Sequence, residues 1–258
     1  MGMTAWGLGL LVLAGCVSAP LTDGPGHVAN SPWVLQSSTG EGIVDADVSG
    51  ARSGRWQHYL LPGKVSSRFA YARKDGRDTM AAWAASSASM LRQPVRIEPA
   101  ALGELGFSWK VPELIAQADM ALRDADDSPV RIVLVFEGDR GKFSSKNAML
   151  SELARALTGE EMPYATLMYG WCNTRQPGTV IVNPRTDRIR MLVVESGTGK
   201  LQQWVDYERN IRADYEQAFG EAPGALVGIG IMTDSDNTGS TTQAWYGPVR
   251  LGAVAGMR

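Results

Sequence analysis

From Trp33 onward, apolar and polar positions alternate with period two along much of the chain. Phe69 and Tyr71, then Ala81, Trp83 and Ala85, then Phe107, Trp109 and Val111 each point one way, with smaller or polar residues between most of them. That is the pattern of half-buried strands. Residues 130–136, 179–182 and 191–194 are instead nearly continuous apolar runs, rich in β-branched side chains and bounded by Gly, Pro, Asp or Asn. They predict central strands buried on both faces. Two more strands are expected at residues 226–232 and 244–251. Helical spacing is scarcer. Met149, Leu150, Leu153 and Leu157 lead to Gly159 as a helix-ending residue, and Trp204, Tyr207, Ile211 and Tyr215 lead to Phe219-Gly220. Residues 114–122 are a third helix candidate. With turn chemistry at Asp75-Gly76 and Asp187-Arg188, these elements predict a mainly β chain: a two-sheet β-sandwich or jelly roll with two or three short helices.

The chain opens differently. Residues 5–15 form an apolar run of about 11 residues, where a transmembrane helix needs roughly 20, so the run reads as a signal segment. It ends in Leu13-Ala14-Gly15-Cys16, which resembles the lipobox at which bacterial envelope proteins are cut and lipidated. Lipidated Cys16 would anchor the chain in a membrane, each buried CH₂ contributing about 0.8 kcal/mol. One departure is that no Lys or Arg precedes the apolar run. Val17-Ser18 follows Cys16 without the Asp of an inner-membrane retention signal, which favours the outer membrane, facing the periplasm. The expected organisation is a signal peptide at residues 1–15, a Pro/Gly/Ser/Thr-rich tether at 16–30, one domain at 31–253 and a tail at 254–258.

Charge narrows the partners. The 258 residues carry 25 Lys and Arg against 27 Asp and Glu, a net charge of -2, and the arginines are scattered. The basic footprint needed to track nucleic acid is missing. Once Cys16 is lipidated only Cys172 remains, so no intramolecular disulfide is expected and the core must supply the stability. Only two histidines are present, which excludes Cys/His zinc sites by count. His58 lies in a probable strand, where a hydrogen-bonded structural role outweighs a catalytic one.

The densest chemistry is Thr233-Asp234-Ser235-Asp236-Asn237-Thr238-Gly239, between two expected strands. Asp234, Asp236 and Thr238 match the opening of an EF-hand loop, but Trp245 stands where the bidentate Glu is required, so a true EF-hand is excluded. Another calcium site, completed by Glu195 or Asp206, stays open. So does a structural turn, since Asp and Asn bond turn backbone and Gly accepts left-handed conformations. Asp234 or Asp236 with Glu195 could form the carboxyl pair of a glycosidase. Trp109, Trp171 and Trp245, near strand ends, could stack on sugars while Asp236 or Asn237 bonds hydroxyls. Residues 124–127 are expected to be a solvated acidic linker. Glu208-Arg209-Asn210 is expected on an exposed helix face, with Arg209 able to reach a turn carboxylate.

Trp204 with Glu208-Arg209-Asn210, Asp214-Tyr215, Phe219-Gly220, Pro223, Ile229-Gly230-Ile231-Met232, the acidic turn and Tyr246-Gly247 follow one another in an order and spacing that resemble the DUF3047 family. Upstream the likeness continues through residues 56–61, 105–111, 126–136 and 163–171, so it spans about residues 34–252. The resemblance implies one domain with a β-sandwich similar to galactose-binding-like jelly rolls, and supplies no catalytic residues. Pro248 stands where such sequences often carry an acid. The combined expectation is an outer-membrane lipoprotein whose periplasmic sandwich is a non-catalytic ligand- or partner-binding module, with envelope glycans as candidate ligand. A carboxylate-dependent hydrolase and a structural assembly factor are the rivals.

Overall fold

A computed structural model describes residues 52–53 and 56–252. The signal segment, Cys16, the tether and the tail lie outside the described residues. Two sheets stack face to face. The larger holds β1 (Arg52–Ser53), β2 (Gln57–Leu60), β5 (Ala88–Ile97), β7 (Ser128–Phe136), β8 (Ala165–Cys172), β9 (Val180–Val182), β10 (Ile189–Ser196) and β12 (Leu226–Asp234). Its order is β1-β5-β12-β7-β8-β10-β9, with β2 beside β1 on the free edge of β5. The smaller sheet runs β11 (Trp204–Asn210), β6 (Glu104–Lys110), β13 (Thr241–Tyr246), β4 (Arg77–Ala85) and β3 (Arg68–Lys74), with β14 (Arg250–Leu251) on β6. The pairings are antiparallel except β8 with β10, which the intervening β9 lets run parallel.

The core between the sheets draws Met80 and Ala82, Leu105, Phe107 and Trp109, and Ala244 and Tyr246 from the small sheet. The large sheet sends Ile132, Leu134, Leu167, Tyr169, Leu192, Ile229 and Ile231 to meet them. Phe107 stacks on Tyr169 and on Tyr207, which ties the layers together. A second apolar cluster lies on the other face of the large sheet and includes Val133, Met168, Met191, Val193 and Met232. Strands β7 and β10 therefore bury both faces, which is why their sequences are nearly unbroken apolar runs. The Asp75-Gly76 hairpin joins β3 to β4, with φ of 51° and 73° at its two central residues. Twisted strands require that conformation in a two-residue loop.

Some expectations are corrected. The run at residues 179–182 holds only the edge strand β9, Val180–Val182, bonded to β10 on one side, with Val182 46% exposed. Residues 204–210 are strand β11 against β6, and only Ile211–Phe219 is helical (α2). Trp204 and Tyr207 owe their places to a strand and Ile211 and Tyr215 to a helix, so the apparent 3.6 period spanned two elements. Asn210 is the N-cap, its Oδ1 accepting from the Ala213 N–H at 2.9 Å. Arg209 clasps Asp214 in that first turn and reaches no carboxylate of the acidic turn. Residues 114–122 form hydrogen-bonded turns such as Ala118 N–H to Ile115 O. The strand expected at 244–251 divides into β13 and β14 around Gly247-Pro248. Ala81 and Trp83 face the outside of the small sheet, beside Trp245.

The helix ending at Gly159 forms as expected, over Ser145–Thr158 (α1), but is turned inside out. Its buried residues are Asn147 and Ser151, while Met149, Leu153 and Leu157 are 65%, 53% and 62% exposed. Hydrogen bonding explains the inversion. Asn147 donates to Asp187 at 2.6 Å and accepts from Thr186 at 2.8 Å, which fastens the helix to the β9–β10 connection.

Candidate functional site

The outer face of the large sheet carries a groove. Register places Met90, Met232 and Arg131 in one row across β5, β12 and β7, and Arg92, Gly230, Val133 and Met168 in the next, with β8. Gly228 and Gly230 alternate with the core-facing Ile229 and Ile231, so the middle strand offers no side chains there. Neighbours close over Gly230, where a Cβ would lie 3.1 Å from the Leu91 O, 3.4 Å from the Val133 Cβ and 3.6 Å from the Met90 sulfur. The groove is floored by Met90, Val133, Met168 and Met232, walled by Leu150 of α1, Met162 and Pro163, and encloses about 490 Å³. A second compartment of about 590 Å³ continues it toward Gly224, lined by Arg96, Glu98, Glu137 and Arg140. The two share Arg92, Val135, Glu160, Glu161 and Pro163.

The first compartment ends at the acidic turn. Asp234 closes β12 and is 3% exposed. Its Oδ1 accepts from the Ser128 N–H at 2.9 Å, and its Oδ2 lies 3.6 Å from an Arg131 nitrogen. Arg131, 3% exposed, donates to Asp126 at 2.8 Å, while its Nη1 faces the Met168 sulfur at 3.9 Å and its Nε has no hydrogen-bond partner. Burial pushes the Asp234 carboxyl up to about 7; Arg131 opposes that rise and Asp126 and Asp127 add to it. Burial works against the Arg131 charge, but Asp234 and Asp126 outweigh it and hold the guanidinium above its ordinary value.

Asp126 and Asp127 are buried, contrary to the solvated linker expected of them. Asp127 organises the turn. It accepts from the Asn237 N–H at 3.1 Å, the Thr238 N–H at 2.7 Å and the Thr238 hydroxyl at 2.6 Å. Asp236 pairs with Lys64, and Asn237 donates to the Arg123 carbonyl at 2.8 Å. Asp127, Asp234 and Asp236 offer carboxylate oxygens within 4.8 Å of one another, and could hold a cation if those hydrogen bonds were given up. The Thr238 hydroxyl is directed at Asp127, itself one of these three carboxylates.

Other candidates scatter. Glu195 turns toward the small sheet, where the Tyr207 hydroxyl and Lys200 each bond it at 2.7 Å; Asp234 lies on the groove side of the same sheet. Burial of Glu195 raises its pKa, but those two bonds prevail and hold it below the ordinary value. Asp206 pairs with Arg77 at the β3–β4 hairpin. Trp109 and Trp171 are 0% and 1% exposed, and the Trp171 indole donates to Gly197 O at 2.9 Å. Trp245 lies on the far face of the small sheet under Lys74. The three indoles share no concave patch, so the expected sugar-stacking platform does not form. His58 is structural, bonded to the Ser89 hydroxyl at 2.8 Å. The groove residues that no sequence motif singled out are Met90, Arg92, Arg131, Met168 and Gly228. The alternation Gly228-x-Gly230-x-Met232-x-Asp234 was a visible signal for one side of β12.

Among solved structures, one similar chain is the xyloglucanase domain of NopAA, a type three effector from Sinorhizobium fredii, determined in complex with cellobiose. It is 10% identical, with a TM-score of 0.37, over 79% of this chain and 94% of that one. No curated protein matches. The sequence pattern defining "Protein of unknown function (DUF3047)" matches residues 54–250. With most of its length inside that pattern, this chain belongs to the DUF3047 family.

Proposed function

We propose that this protein is a non-catalytic binding module of the bacterial envelope, anchored to the outer membrane through lipidated Cys16, facing the periplasm and holding its ligand in the groove of the large sheet. The observation that carries the reading is the groove on the outer face of the large sheet, where an apolar floor of Met90, Val133, Met168 and Met232 meets a few oriented polar groups. Concave, largely apolar sites of a few hundred Å³ with sparse polar groups are what small-ligand binding uses. A second reading, hydrolysis, draws on the Asp234 carboxyl, whose raised pKa suits a general acid. Against it, Asp127 is engaged by three donors, Asp236 by Lys64 and Asp126 by Arg131 and Asn183, so that among the described residues these carboxylates beside Asp234 are all held by other partners.

A ligand screen by backbone NMR tests the reading, with shifts expected on β5, β7, β8 and β12. Shifts confined to the small sheet would defeat it. Turnover of a bound glycan, lost in Asp234→Asn with folding intact, would favour the hydrolase. Palmitate labelling tests the anchor, and labelling unchanged in Cys16→Ser would refute it.

A further inference from the structure

We infer that the groove takes a single-chain amphiphile, with one acyl chain over the methionine floor and a zwitterionic headgroup among the arginine and glutamate pairs of the second compartment. The inference rests on reading this face as a binding site and specifies the class of ligand.

The floor argues for an unbranched apolar chain. Met90, Met168, Met232 and Val133 line the first compartment, and flexible thioethers adapt to such a chain where a rigid ring needs a flat platform. The floor offers no such platform. Tyr59 is the one aromatic lining this compartment, and its face is taken by the Arg92 guanidinium at 4.3 Å. The acidic end is a poor headgroup site, since Asp126 and Asp234 already flank Arg131.

The second compartment differs in kind. Arg92 bonds Glu160 at 2.8 Å, Arg96 bonds Glu98 at 2.8 Å and Glu137 at 2.9 Å, and Arg140 meets Glu161 at 3.0 Å. Both signs of charge are present in near-equal number, all beside solvent. A singly charged headgroup would engage one sign and unpair the other. A phosphate next to an ammonium answers both, with arginine forks on the phosphate and carboxylates on the cation. Val135, half-buried and shared by the two compartments, marks the junction of chain and head.

The rim supports the same ligand. Helix α1 turns Leu150 into the groove and Met149, Leu153 and Leu157 outward, and Leu157 shares a neighbouring cleft with the exposed Leu60. Exposed apolar side chains on an element that also walls a groove suit an apolar ligand.

The test is calorimetric titration of the mature chain, residues 16–258 with Cys16→Ser, with monomeric C16 lysophosphatidylcholine. Monopalmitoylglycerol, palmitate, a cello-oligosaccharide and an unrelated extended peptide are parallel probes. Stoichiometric lysophospholipid binding is expected. Val135→Glu should weaken it at least about tenfold, while Arg96→Ala with Arg140→Ala should weaken the lysophospholipid about tenfold and leave monopalmitoylglycerol unchanged. If Val135→Glu lowers the thermal midpoint sharply, Met90→Gln replaces it. Saccharide or peptide binding that Val135→Glu abolishes, without lysophospholipid binding, overturns the ligand class and keeps the groove. No binding by any probe overturns both. Sedimentation with phosphatidylcholine vesicles separates free lipid from bilayer: co-sedimentation indifferent to Val135→Glu, with no binding of monomer, refutes a groove site.

Discussion

The buried carboxyl of Asp234 should make this protein more stable as the solution becomes mildly acidic. In the unfolded chain an aspartate titrates near 3.8, and in the fold Asp234 titrates at about 7. Between those values the folded state binds the extra proton, so this contribution is complete below the unfolded value and is lost as pH rises through the folded one. Integrating the linkage relation for these two values gives a gain of about 1 kcal/mol from pH 8 to pH 6 and about 3 kcal/mol from pH 8 to pH 5. Groups with lowered pKa, such as Asp75, Asp119 and Glu195, act in the opposite sense, but mainly below that range. The assay is urea unfolding at constant ionic strength at pH 5, 6, 7 and 8. The wild type should gain stability steadily toward pH 5, and Asp234→Asn, which cannot titrate, should lose that slope. Equal slopes in the two proteins would refute the reasoning. If the Asn variant fails to fold, side-chain carboxyl NMR of the wild type reads the titration directly, and a midpoint below about 5 would be equally damaging.

Removing the turn's organiser, Asp127→Ala, strips three hydrogen bonds and leaves two backbone N–H groups without their acceptor. A loss of about 3 kcal/mol is expected by chemical denaturation, and a loss below about 1 kcal/mol would mean that the turn holds itself. On α1, Asn147→Leu should cost about 2 kcal/mol although it adds an apolar residue, because Asp187 and Thr186 lose their partner. Leu153→Glu, at a site 53% exposed, should change stability by less than about 0.5 kcal/mol; the opposite ranking in thermal melts would show that the outward stripe is covered. Millimolar calcium should leave the melting midpoint unmoved, since ligation would have to displace the donors on Asp127 and Lys64 from Asp236; a rise that chelator reverses would establish the metal site instead.

How much of the site could be read along the chain depends on how local its cause is. The acidic turn stood out because Asp234, Asp236 and Asn237 are neighbours, and its tight connection between two strands follows from turn chemistry. Its partners could not be found that way. Asp127 is 111 residues from Thr238, and an acidic run reads as solvated until something is known to bury it. The tryptophans misled for a related reason. A strand-end indole looks the same whether it faces solvent or the opposite sheet, and Trp109 and Trp171 face the opposite sheet.

The sequence alone determined the mainly β character, the strands β3, β4, β6, β7, β10 and β12, the Asp75-Gly76 hairpin and the end of α1 at Gly159, because periodicity and turn chemistry act over a few residues. Tertiary structure decided everything that depends on pairing. It made residues 179–182 an edge, split residues 204–219 between a strand and a helix, and turned α1 so that Asn147 faces inward and leucines face out. It also aligned Met90, Met232 and Met168 from three distant strands into one groove. A strand's period says that two faces differ, but which face meets the other sheet and which is left to bind is set by neighbours that the chain supplies from elsewhere.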